Sequence, residues 1–169
     1  KKFNVRIDLV GTEDLERQIY ADNLVKTEGR MMVHPYADDL VKAGQGTISL
    51  EILEDEPEMD VIVASVSGGG LITGVATAAK GLKPDIRVIG VEPASVPRYL
   101  ESRKAHKAVD LQPGAKSIAD ATLLPQSDPG NFEIIERLVD DLIPVEDGPI
   151  MRAMSLGLRY GKTLIEPSG

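Results

Sequence analysis

The chain has 169 residues, 42% hydrophobic and 27% charged, which suits one globular domain with a core rather than a disordered segment. Twenty-seven acidic against 19 basic residues leave a formal net charge of -8, a balance that repels phosphate backbones and argues against nucleic acid as a partner. No cysteine is present, so disulfides, thiolate catalysis and thiolate metal sites are all excluded.

Phe3–Val10 alternates apolar and polar residues at Val5, Ile7 and Leu9 and predicts a strand. Thr12 is the expected N-cap of a helix that ends near Gly29, and Met31-Met32-Val33 is a short strand candidate. Pro35 and Asp38-Asp39 mark a loop, with His34 as a hydrogen-bonded loop histidine. A helix is expected after Gly44-Gln45-Gly46-Thr47, running to the solvated acidic stretch Glu54 to Asp60. Asp60 to Val66 reads as a strand buried on both faces, as in parallel sheets.

Beyond the next glycines, Ile72, Val75, Ala76 and Ala79 fall on one helical face. Val61 to Ala79 carries no charge, but its many glycines and hydroxyls and its change of period argue against a membrane span. Arg87 to Val91 predicts a second buried strand, and Val96 to Lys104 a weaker helix. Ala108 to Pro129 is irregular. Phe132 to Leu138 predicts a helix and Leu142 to Val145 a strand, which Pro144 confines to an edge or bulge. Asp147 is the expected cap of a last helix with inner face Ile150, Met151, Met154 and Leu158. Strands alternating with helices imply an α/β fold: a parallel twisted sheet flanked by helices.

The sharpest chemical feature is Ser67-Gly68-Gly69-Gly70-Leu71, between a strand and a helix. Three residues without Cβ let a ligand approach the backbone, their N–H groups can converge on an anion, and the helix N-terminus favours negative charge. The expectation is a phosphate cradle, with Ser67 adding a hydroxyl. A dinucleotide-binding reading competes, because Gly68, Gly70 and Gly74 approximate G-x-G-x-x-G and Glu92 ends the next strand. The third glycine comes one residue late, and Gly69 is then unexplained.

Ser67-Gly68-Gly69-Gly70-Leu71-Ile72-Thr73-Gly74 resembles the phosphate loop of fold-type II pyridoxal-phosphate enzymes of the serine/threonine dehydratase and serine racemase branch. Further blocks agree in order: His34 to Asp39, Ala43 to Thr47, Gly90-Val91-Glu92-Pro93, Ile118-Ala119-Asp120, Leu138 to Asp141 and Glu166-Pro167-Ser168-Gly169. The resemblance implies the large domain of a tryptophan-synthase-β-like fold over residues 26–169, after the tail of a smaller domain over residues 1–25. It implies pyridoxal 5'-phosphate as cofactor, held by Ser67, Gly68, Gly69, Gly70 and Leu71 with Glu166 near its ring. A small amino acid as substrate, a homo-oligomer and a cytoplasmic location are expected with it.

The implied reaction is β-elimination of threonine or serine to a 2-oxo acid and ammonia, with serine racemisation as the alternative. The lysine that would hold the cofactor aldehyde, in a Ser-x-Lys-x-Arg-Gly-Ala motif, is not in this sequence. The chain is therefore expected to be a fragment without a catalytic residue of its own, inactive in isolation. Glu92 matches a position that helps bind a divalent cation in racemase-like members. Arg98, where a further acid would be expected, and Ala121, in place of the usual Gly, depart from the pattern.

Overall fold

The computed structural model describes residues 3, 5–11 and 14–169 of the chain. They form two compact units, Lys1–Val33 and His34–Gly169. In the first, helix α1 spans Asp14–Glu28 and ends where Gly29 adopts a φ of 67° and donates its N–H to the Val25 carbonyl at 3.1 Å. Residues 5–11 and Met31 to Val33 are irregular, so neither strand expected from these segments forms. Alternation predicts a strand only where a second strand exists to take its hydrogen bonds, and among the described residues none pairs with these. Thr12 lies outside the described residues.

The second unit carries a three-stranded parallel sheet in the order β1-β2-β3, with β1 at Val61–Ser65, β2 at Arg87–Pro93 and β3 at Asp141–Val145. Ile62 pairs with Val88, and Gly90 lies between Ala64 and Leu142. Pro144 sits on the edge strand beside Glu92, where a missing donor costs no ladder bond inside the sheet. Helices α2 (Asp39–Asp55), α3 (Gly70–Leu82), α4 (Arg98–Ala105), α5 (Pro129–Leu138) and α6 (Asp147–Leu156) complete the unit.

The predicted face of α3 is the centre of the core. Ile72, Val75, Ala76 and Ala79 are all essentially buried and cluster with Ile62, Val88, Ile135 and Leu142. The opposite side of α3 is buried too, against α2. There Ser49 Oγ donates to the Val75 carbonyl at 2.9 Å, and a Cβ on Gly46 would lie 3.0 Å from the Gly74 carbonyl oxygen. This close approach explains why α2 begins at Asp39, well before the expected start. Gly44 and Gly46 read as breakers, but the helix keeps them inside, and Asp38 caps it by accepting from Leu40 N at 2.8 Å and Val41 N at 3.3 Å.

Two further expectations are corrected. β1 is covered on one face only among the described residues: Ile62 is buried while Val63 is 60% exposed. Helix α6 has no fully buried residue: Ile150 and Met154 are half-buried, while Met151, and Leu158 beyond the helix end, are each 55% exposed, so only half of the expected inner face turns inward. Asp147 does not cap it; its carboxylate accepts from Ser117 Oγ and Ile118 N, tying down the preceding loop. No helix among the described residues is long and apolar enough to cross a membrane.

Asp140, just before β3, joins α3 to the sheet by accepting from Lys80 Nζ at 3.0 Å and Val88 N at 2.7 Å. Burial alone would raise its pKa, but the Lys80 ammonium and the Val88 N–H outweigh that and hold it below the usual carboxylate value. A depressed carboxylate adds stability above its unfolded pKa, and this is lost as pH falls through the folded value. Thermal melts taken from neutral pH to below about pH 4 should show an acid-side loss in the wild type. Asp140→Asn should be less stable at neutral pH and show a shallower fall.

Candidate cofactor-phosphate site

The glycine loop follows β1 and opens α3. Gly69 occupies the N-cap position with a φ of 92° and no side-chain cap, a conformation that costs an L-residue about 1–2 kcal/mol and glycine almost nothing. Without a capping side chain the first-turn N–H groups are left over. The first internal bond of the helix runs from Thr73 N to Gly69 O at 3.0 Å. Among the described residues, the amides from Gly68 to Ile72 have no other acceptor. A row of unspent N–H groups at the positive end of a 13-residue helix is what a phosphate dianion requires.

These residues line a cavity of about 320 Å³ together with Ser67, Tyr36, Gln45, Ala121 and Glu166. Ser67 is half-buried, and its hydroxyl has no partner among the described residues. The loop leaves no room behind it. A Cβ on Gly68 would overlap the Tyr36 ring, and one on Gly69 would lie 2.8 Å from Tyr99 Oη. Tyr36 is steadied by His34, whose ring meets it edge-on at 4.5 Å and whose Nδ1 accepts from Ala37 N at 3.1 Å.

At the other wall, Glu166 is exposed and borders both this cavity and a second one of about 380 Å³. The second cavity lies between the open sheet face at Val63 and Val91 and α6 at Ile150 and Met154. Ser168 Oγ accepts from Ala121 N at 3.2 Å and so braces the rim. The arrangement brings together Ser67, the three glycines, Leu71 and Glu166, all expected from the sequence.

Glu92 stands apart from this group. It is 2% exposed, and its two carboxylate oxygens accept from Tyr99 N and Leu100 N, each at 2.9 Å. It therefore caps α4, whose own N-cap is Pro97, a residue without a capping group. Burial raises the Glu92 pKa, against the two amides and Arg98, which pull it down. Arg98 is 1% exposed, with Nε and Nη1 lacking partners and its guanidinium 4.8 Å from the Tyr99 ring centroid. Each Glu92 oxygen already holds a backbone amide, the buried Arg98 guanidinium attracts the carboxylate, and the described residues hold no metal-binding group of three. These residues do not suit a divalent cation.

Two contributors escaped the sequence reading. Tyr99 Oη donates to Gly68 O at 2.9 Å, and Asn131 Nδ2 donates to Gly68 O at 2.8 Å and to Tyr36 O at 2.9 Å. Their partners lie far away in the chain, so no local pattern reveals them. The one available signal was Asp128-Pro129, a helix start that places Asn131 in the first turn of α5, where its N–H reaches Asp128 Oδ1 at 2.8 Å.

Comparison with known proteins agrees with this geometry. The chain matches the pyridoxal-phosphate dependent enzyme family over residues 1–169. It is 40% identical to a serine racemase of Arabidopsis thaliana over 153 residues, covering 90% of this chain and 46% of that protein. It is 35% identical to the catabolic L-threonine dehydratase of Staphylococcus aureus over 169 residues, 100% of this chain and 49% of that protein. The structure of maize serine racemase superposes with a TM-score of 0.93 at 34% identity, over 99% of this chain and 50% of that one. The chain thus spans about half the length of the relatives it matches. The dinucleotide-binding reading of the glycines falls with these matches. With its parallel sheet, its uncapped glycine loop and the match along its length, the chain belongs to the fold-type II pyridoxal-phosphate enzymes, in the serine/threonine dehydratase and racemase group.

Proposed function

We propose that the protein carrying this chain works on serine or threonine at Cα, and that this chain anchors the cofactor by its phosphate. The observation that carries the reading is the run of amides from Gly68 to Ile72, free of internal acceptors, at the head of α3. Gly68, Gly69, Gly70 and Leu71 supply N–H donors to the phosphate oxygens, and Ser67 adds its hydroxyl. Glu166, which borders the cavity, would stand near the cofactor ring. Bound pyridoxal phosphate supplies an electron sink that acidifies Cα of an attached amino acid. No lysine among the described residues lines the cavity, and the chain alone is expected to bind the cofactor and turn nothing over.

Elimination and racemisation share the removal of the Cα proton and diverge after it: one expels the β-hydroxyl, the other returns a proton to the opposite face. Racemisation of serine has the nearer support, because the serine racemases of Arabidopsis thaliana and Oryza sativa match at 40% and 39% identity, above the threonine ammonia-lyase of Thermotoga maritima at 37%. Elimination remains the second reading on the strength of that lyase and the threonine dehydratase. The test is to incubate the whole protein with cofactor and L-serine or L-threonine, scoring D-serine and 2-oxo acid in parallel. D-Serine formation, with or without pyruvate, supports the first reading; a 2-oxo acid alone selects the second. Neither product from either amino acid would refute both.

A further inference from the structure

A cradle of amides works only while its peptide groups keep their N–H edges toward the ligand. Two peptides of the loop lie between glycines, with no Cβ to resist rotation of the plane. The Gly69–Gly70 one is held by Thr73 N on the Gly69 carbonyl at 3.0 Å, which leaves the Gly68–Gly69 one as the weak point. In a trans peptide the carbonyl and the N–H point in opposite directions. Whatever grips the Gly68 carbonyl therefore also aims the Gly69 N–H, toward the opposite side. Two buried donors grip it, Tyr99 Oη at 2.9 Å and Asn131 Nδ2 at 2.8 Å, which together use both lone pairs of that oxygen.

Resting on the phosphate-cradle reading, we propose that Tyr99 and Asn131 are positioning residues that lock the Gly68–Gly69 peptide, keeping the Gly69 N–H turned to the cofactor phosphate.

Both residues are built for the task. Each is 0% exposed. Tyr99 is fixed through its backbone N–H by Glu92 Oε1 at 2.9 Å, and its hydroxyl accepts from Asp128 N at 3.3 Å. Burial pushes the Tyr99 phenol up to about 12, so it remains a hydrogen donor through the neutral and alkaline range. The Asn131 amide can face only one way, because it serves two carbonyls, those of Gly68 and Tyr36, and only its nitrogen can donate. The buried Glu92 carboxylate is then linked to the loop through Tyr99: it holds the start of α4, and Tyr99 of α4 holds the Gly68 carbonyl.

The test compares pyridoxal phosphate with pyridoxal, which has the same ring and no phosphate, on the whole protein. Tyr99→Phe keeps the ring and removes one donor; it should weaken pyridoxal phosphate roughly three- to tenfold. Asn131→Leu should weaken it about tenfold or more, since Tyr36 also loses its donor. Pyridoxal affinity should stay at the wild-type value in both. A merely structural role would lower both affinities together, and an unchanged ratio of the two would overturn the proposal. Should Asn131→Leu fail to fold, Tyr99→Phe decides alone, because it preserves the packing. A wild-type protein that binds pyridoxal as tightly as its phosphate would instead bring down the cradle itself, and the locking role with it.

Discussion

Gly69→Ala is expected to weaken pyridoxal-phosphate binding by about two orders of magnitude or more while leaving the sheet intact. Two effects act in the same direction. The residue has a φ of 92°, and an L-side chain there costs about 1–2 kcal/mol. The new Cβ would also stand 2.8 Å from Tyr99 Oη and 3.1 Å from Asn131 Cβ. Neither neighbour can swing aside, because both are fully buried and each is tied to the Gly68 carbonyl. Overpacking of this kind costs a further ~1–3 kcal/mol. The cheapest relief is rotation of the loop, which turns its N–H groups off the phosphate. Cofactor absorbance titration against the wild type, with circular dichroism to confirm the fold, checks this.

Gly74→Ala should be the most damaging change to stability, although alanine is ordinarily the better helix residue by about 1 kcal/mol. Here the magnitudes decide against propensity. The added Cβ would overlap the Lys42 carbonyl and lie 2.9 Å from Gly46 N and 3.0 Å from Gln45 Cβ. Two of these three contacts are backbone atoms of α2, so no rotamer change relieves them. The helices must separate, which also stretches the bond from Ser49 Oγ to Val75 O. We expect a loss of about 3 kcal/mol, seen as a drop in Tm of roughly 6–12 °C. An unchanged melting curve would mean that α2 and α3 do not meet as described.

What the sequence disclosed and what it hid divide along physical lines. The buried face of α3 was legible because Ile72, Val75, Ala76 and Ala79 keep the helical period, and β1 and β2 were legible as short apolar runs bounded by turn residues. The glycine loop was legible because three adjacent residues without side chains have a chemical use. The start of α2 was not, since Gly44 and Gly46 look like breakers, and only the structure shows that α3 presses on Gly46. Phe3–Val10 carries a strand's alternation without a strand beside it among the described residues. Periodicity likewise promised an inner face for α6 that Met151 and Leu158 do not have. Tyr99 and Asn131 were invisible because their roles exist only across 31 and 63 residues of chain. Glu92 was singled out for a role that its hydrogen bonds do not support: it holds a helix end.

The most direct test is a crystal structure of the whole protein with pyridoxal phosphate bound. Phosphate oxygens are expected within about 3.2 Å of the amide nitrogens of Gly68 to Leu71, with the Gly68 carbonyl still held by Tyr99 and Asn131. A phosphate seated elsewhere, or those amides turned onto protein carbonyls, would contradict the cradle.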